Sequence, residues 1–142
     1  MNNYLDLYIH SFDVTYTTNL DFTFFFPVIF PDNVTVPANS LVNIDMKLRV
    51  NLFSNELMSY LPNIFVVPND NLVNTPLIQA LTGKPVNDGV YAADLFIAVR
   101  NVSNNSYTIP SGTSLFNIYT GLDEPMVIHQ VTEDHLTMEV SG

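Results

Sequence analysis

The sequence predicts an all-β fold, and three observations carry that expectation. From Val42 to Leu52, apolar Val42, Ile44, Met46, Leu48, Val50 and Leu52 alternate with Asn43, Asp45, Lys47, Arg49 and Asn51. A period of two over that length fits a strand with one buried face and one wet face. Turn-forming clusters recur between such segments, with nine prolines and five glycines scattered along the chain. No stretch shows the apolar spacing of an amphipathic helix.

Taken in order, the apolar run Phe24 to Phe30 is interrupted by Pro27, far short of the ~20 residues that cross a bilayer as a helix. Turns are expected at Pro31-Asp32-Asn33 and Pro37-Ala38-Asn39, on either side of a short β-prone stretch. The alternating strand 42–52 follows. Only residues 54–61 and 76–82 could hold a short helical turn. Residues 94–102 (Asp-Leu-Phe-Ile-Ala-Val-Arg-Asn-Val) are more continuously apolar, as for a strand covered on both sides. Ser103-Asn104-Asn105 and Pro110-Ser111-Gly112 mark two more turns, and 113–120 alternates again. Many short strands in this rhythm predict a sandwich or barrel with minimal helix. With no internal repeat and no linker, one domain over residues 1–142 is expected.

At 142 residues and 47% apolar content the chain can bury roughly two-thirds of the surface that its unfolded form exposes. It has no cysteine, which excludes disulfides, zinc–thiolate sites and thiol nucleophiles. Four Lys and Arg stand against fourteen Asp and Glu, a formal net charge of −10. Such a surface repels phosphate backbones and anionic lipid, so neither nucleic-acid nor membrane binding is expected. Asn-X-Ser/Thr triplets occur at Asn33, Asn101 and Asn104. Met1 to His10 lacks a basic stretch followed by an apolar run, so no secretory signal is expected there and the triplets read as Asn-rich composition.

Four partial motifs, in order, resemble the trimeric dUTPase family over roughly residues 34 to 131. Pro85-Val86-Asn87-Asp88-Gly89-Val90-Tyr91-Ala92-Ala93-Asp94, then an apolar strand ending at Asn101, is similar to Gly-Val-Ile-Asp-x-Asp-Tyr-Arg-Gly-Glu and the strand after it. Ile109-Pro110-Ser111-Gly112-Thr113-Ser114-Leu115-Phe116-Asn117 resembles Ile-x-x-Gly-Asp-Arg-Ile-Ala-Gln. Val36-Pro37-Ala38-Asn39-Ser40-Leu41-Val42 resembles the family's Pro-Gly-x-x-x-Leu-Val turn, and Pro68-Asn69-Asp70-Asn71-Leu72 lies where the family has Pro-Arg-Ser-Gly-Leu. The resemblance implies a distorted jelly-roll or β-barrel and a homotrimer. It places Asp88 on the catalytic Asp that activates water, Tyr91 on the Tyr beneath the deoxyribose, and Asn117 on an amide position of the last internal motif. Asn87-Asp88-Gly89 is also a good turn sequence, and Tyr91 could equally be a packing aromatic.

The departures from the family pattern concern phosphate. Asn69-Asp70 replaces the Arg-Ser pair, exchanging a forked cation for an amide beside a carboxylate. Ala92-Ala93 stands for Arg-Gly, and Thr113-Ser114 for Asp-Arg. The last residues do not match the Gly-rich, Arg-containing tail of active members. Phosphoryl transfer rests on positioning and charge stabilisation, so these losses imply a site without catalysis. Asn69, Asp70 and Asn117 are then vestigial ligand positions, and Asp88 and Tyr91 vestigial catalytic ones.

Other groupings point to structure. Lys47 and Arg49, with Asp45, are expected on one wet strand face with cross-strand charge pairing. His129, Glu133, Asp134 and His135, after Asp123-Glu124, match no metal-ligand spacing, and no metal is expected. His10 stands alone, and no Gly-x-Ser-x-Gly elbow or Gly-rich phosphate loop occurs.

The expectation is therefore a non-catalytic, dUTPase-like protein that acts as a protein-interaction or structural component, with a host or viral protein partner and no cofactor. The Asn-rich, cysteine-free, acidic character and the eroded nucleotide site suit a viral protein in the host cytoplasm or nucleus, or in the virion. The alternative is a divergent nucleotide hydrolase with Asp88 as base, Tyr91 under the sugar and magnesium on the phosphates. That reading needs Lys47, Arg49, Lys84 or Arg100 near Asp88. Only Lys84 is close in sequence, since Arg100 lies nine residues beyond Tyr91, about 30 Å along a straight strand. A third reading is a β-sandwich coat component unrelated to dUTPases. Phe22, Phe24, Phe25, Phe26, Val28, Ile29 and Phe30 are assigned mainly to the core, although a subunit interface would use the same residues.

Overall fold

The computed structural model describes residues 4–11, 14–16, 22–80 and 93–131. The strands are β1 (Leu5–Ser11), β2 (Phe26–Val28), β3 (Val34–Val36), β4 (Leu41–Ser54), β5 (Ser59–Leu61) and β6 (Phe65–Pro68). They are followed by β7 (Leu77–Gln79), β8 (Ala93–Asn101), β9 (Tyr107–Ile109), β10 (Phe116–Tyr119) and β11 (Met126–Gln130). An open sheet runs β11-β1-β4-β8-β7 with β5 on β4, beside a three-stranded sheet β2-β10-β6 and the β3–β9 pair. β1 and β11 are parallel, whereas β4 is antiparallel to β1, β5 and β8. One apolar cluster joins the sheets: Leu5, Leu7 and Ile9 of β1, Leu95, Ile97 and Val99 of β8, and Phe26, Val28, Phe116 and Ile118 of the smaller sheet.

β4 organises the larger sheet, and its apolar face is as expected, with Ile44, Met46, Leu48, Val50 and Leu52 all buried; on the other face the expected wet position of Asn51 is buried too. The alternation survives an irregularity. Asp45 pairs with Phe96 and Arg49 with Asp94, four positions on β4 against two on β8. Because the excess is two residues, the inward face is unchanged beyond the bulge. Lys47 absorbs the kink at φ 51°, its N–H donating to the Asp45 carboxylate at 2.8 Å. Arg49 then meets Asp94 at 2.6 Å directly across the strands, the charge pairing expected of that face, and Lys47 meets Asp32 at 3.0 Å.

Several expectations are corrected. Residues 54–61 hold no helical turn: Ser54 Oγ accepts from the Leu57 N–H at 3.1 Å, closing a turn that leads directly into β5. The described part of the 76–82 stretch enters strand β7, residues 81 and 82 lying outside the described residues. Among the described residues the one short helix is a 3-10 turn at Asp70–Asn74, capped by the Asn69 side chain. β8 is not covered on both sides, because Phe96 is 47% exposed on its outer face. Core burial also takes only part of the 22–30 segment: Phe26, Val28 and Phe30 are fully enclosed, whereas Phe22, Phe24 and Phe25 remain exposed.

Two polar side chains fasten loops to this frame. Asn101, fully buried at the end of β8, donates to the carbonyls of Val36 (3.0 Å) and Asn105 (2.8 Å). Its oxygen accepts from the Ser103 N–H at 2.9 Å and hydroxyl at 2.8 Å. Tyr16 packs its ring on Phe26, and its hydroxyl accepts from the Ile29 N–H at 3.0 Å. Burial raises the Tyr16 phenol above its ordinary value of 10.0, an effect opposed by the hydrogen bond to the Ile29 carbonyl. Among the described residues no helix is long and apolar enough to cross a membrane.

Candidate functional site

The site is assembled where β6 ends and β10 begins. Antiparallel pairing sets Phe116 opposite Pro68, so the residues just after Pro68 and just before Phe116 share one end of the small sheet. Pro68 ends the strand, and Asn69, in extended backbone, caps the 3-10 turn by accepting from the Asn71 N–H at 3.0 Å. The Asn69 N–H donates to the Leu115 carbonyl at 2.9 Å, locking the two loops together.

Its side-chain amide completes the junction. Nδ2 donates to Ser114 Oγ at 3.1 Å and to Asn117 Oδ1 at 3.2 Å. Asn71 Nδ2 donates to the Ser114 carbonyl at 2.9 Å, and Ser114 Oγ donates onward to the Phe116 carbonyl at 3.2 Å. Both Asn69 amide hydrogens and its oxygen are therefore engaged within the protein. The Asp70 carboxylate is exposed beside them.

The structure thus brings Asn69, Asp70 and Asn117 together, with Ser114 and Asn71 as links that the motifs alone do not assign to the site. The signal for them was local: an Asn two residues after an extended Asn, and a Ser preceding a strand, each with a short side chain able to bond backbone. Asp88 and Tyr91, and Lys84 with them, lie outside the described residues. The other cations are placed elsewhere: Lys47 and Arg49 on the β4 bulge, and Arg100 on β8, in register with Leu41 and Ile78. Asp45, Lys47, Leu48, Arg49 and Asp94 line a cleft of about 260 Å³ there, with the Arg49–Asp94 ion pair among its walls.

His129 belongs to a different grouping. Its Nε2 lies 2.7 Å from the buried Asp6 carboxylate, its ring stacks on Tyr8 at 4.9 Å, and Asn55 Nδ2 donates to the other Asp6 oxygen. A carboxylate that orients an imidazole across parallel strands explains the pair structurally. Among the described residues no three His, Asp or Glu side chains gather as a metal site; His135, Glu133 and Asp134 lie outside them.

The strand arrangement is that of the dUTPase-like all-β fold. The solved structure of EIAV dUTPase in its native form is similar to this chain with a TM-score of 0.56 and 12% identity, over 80% of this chain and 85% of that one. At that identity the likeness concerns the fold. No family model and no curated protein sequence matches the chain.

Proposed function

We propose that this chain is a non-catalytic, dUTPase-like protein that works through protein contacts or as a structural component, assembled as a homotrimer. The observation that supports it is the Asn69 junction. At the position where the family resemblance puts a phosphate-gripping Arg-Ser pair, an amide is engaged by Ser114 and Asn117 beside the exposed Asp70 carboxylate. An anion arriving there meets a negative charge and donors already occupied. The composition, with its net charge of −10, adds a general repulsion of triphosphate and nucleic acid. On this reading the protein needs no cofactor. We further infer a viral origin, a host or viral protein partner, and a place in the host cell interior or the virion.

The test is mass in solution by light scattering, with thermal stability and dUTP turnover measured with and without magnesium. The expected result is a species near three times 15.9 kDa, unmoved by nucleotide and without turnover. The fold shared with EIAV dUTPase favours one rival, the divergent hydrolase with Asp88 as base, Tyr91 under the sugar and magnesium on the phosphates. Turnover that disappears in Asp88→Asn would establish that rival and end the proposal.

A further inference from the structure

One end of the molecule carries an unusual share of apolar side chains. The strand registers show which residues share it. Leu5 pairs with both Ser54 and Met126, so the start of β1, the end of β4 and the start of β11 coincide. The β4–β5 turn (55–58) and the β10–β11 loop (120–125) flank that point. The latter loop leaves the β10 end at Tyr119, which is paired with Phe65. Thr23 bridges to Met126, bringing in Phe22, Phe24 and Phe25. Seven of the twelve exposed large apolar residues among the described ones gather here: Phe22, Phe24, Phe25, Leu57, Met58, Tyr60 and Phe65.

Two features set this end apart from incidental exposure. Phe25, Tyr119 and Phe65 form a row across the sheet: Phe25 stacks on Tyr119 at 4.8 Å, and Phe65 lies beside it over Gly121. Phe22 and Met58, 58% and 73% exposed, hold left-handed backbone at φ 57° and 53°. For a bulky residue that conformation is costly, and little burial in the free chain offsets it. Strain of this kind collects where a surface is shaped for contact.

Charge identifies the occupant. Asp123 and Glu124 sit in the loop beside Gly121. Of the described cations the nearest along β4 is Arg49, five residues before Ser54 and about 17 Å away along the strand. Set face to face with the same end of a second copy, these carboxylates would meet their own kind, and anionic lipid would be repelled. Arg and Lys, by contrast, gain from exposed ring faces and from carboxylates at once.

We propose that this aromatic, acid-flanked end is a docking surface for a segment of another protein in which Arg or Lys residues alternate with apolar ones. The inference rests on the reading that the chain acts through protein contacts, and it names the chemistry of the partner.

The test uses the whole chain and labelled peptides of equal length, followed by fluorescence anisotropy near physiological salt: one of Arg and Leu, one of Arg and Ser, one of Glu and Leu. The Arg–Leu peptide should bind best. Phe25→Ser with Phe65→Ser should weaken it by about tenfold or more, whereas Phe96→Ser, an exposed ring on β8, should leave it unchanged. Asp123→Lys with Glu124→Lys keeps the rings and should reverse the preference towards the Glu–Leu peptide, which guards against misfolding of the ring variant. Three results would overturn the proposal: Arg–Leu binding indifferent to both variants, loss of the wild-type oligomer on ring replacement, or ring-dependent binding to phosphatidylserine vesicles. dUTP turnover read in the same samples separates the two readings, because turnover removes the non-catalytic function without touching peptide binding.

Discussion

The two ends of the β2-β10-β6 sheet are built from opposite materials. Where Pro68 faces Phe116, short amides close on one another and on backbone: Asn69 on Ser114 and Asn117, Asn71 on the Ser114 carbonyl. The loops around the end of β8 repeat the device with Asn101, and Asn33 accepts from the Ser111 N–H at 2.8 Å. Where Phe65 faces Tyr119, rings and thioether stand in solvent on a backbone that twice adopts a left-handed conformation. The first end satisfies its polar groups internally and so contributes stability. The second leaves apolar area uncovered, which stabilises only a complex.

That contrast predicts unequal consequences of substitution, and the largest belongs to Asn101. Its fully buried side chain satisfies two carbonyls, an N–H and a hydroxyl, the bond to the Val36 carbonyl being buried as well. Asn101→Ala leaves the buried Val36 carbonyl without that donor and removes the other three bonds, while Ser103 Oγ keeps its bond to the Asn105 carbonyl. The loss is about 2 kcal/mol, a sizeable part of the stability of an ordinary domain. Urea unfolding of the variant checks it. A change under about 1 kcal/mol would mean that water replaces the amide and that the polar end is less closed than it looks.

The strand framework was legible because β4 and β10 obey a period of two that core burial enforces. The bulge in β4 was hidden because a two-residue excess leaves that period intact. The helical turn expected at 54–61 is replaced by a turn that Ser54 closes, and the described part of 76–82 is held as strand by pairing with β8; neither shows in apolar spacing. Asn69, Asp70 and Asn117 could be grouped only through the family resemblance. They are far apart in sequence, and nothing in composition says that β6 and β10 are neighbours. The exposed Phe22, Phe24 and Phe25 were placed in the core for a simple reason: hydrophobicity alone does not distinguish a buried ring from one held out for a partner.

Tyr16 gives a smaller effect with a pH signature. Tyr16→Phe removes the acceptor of the Ile29 N–H, a loss of about 1 kcal/mol at neutral pH. Burial raises the folded phenol above 10.0, so the unfolded chain releases that proton first as pH rises. The stabilisation is therefore fully present below pH 10.0 and is lost as pH climbs through the folded value. Denaturation series at neutral and alkaline pH should show wild type and Tyr16→Phe converging at the alkaline end. A gap that widens there would contradict the assigned direction.

The smallest effect has the opposite sign. Met58 sits at φ 53° with 73% of its surface in water. Glycine removes a left-handed strain of about 1–2 kcal/mol but adds about 0.5–1 kcal/mol of unfolded-state entropy. Met58→Gly should therefore stabilise the chain by about 0.5 kcal/mol, seen as a higher urea midpoint at constant slope. The same variant should bind the Arg–Leu peptide less well, because it removes a side chain from the docking end. Rising stability with falling affinity is the signature of a residue kept for contact against local strain. Destabilisation would instead show that Met58 packs on its own chain, and the aromatic end would then differ from the amide end in composition but not in purpose.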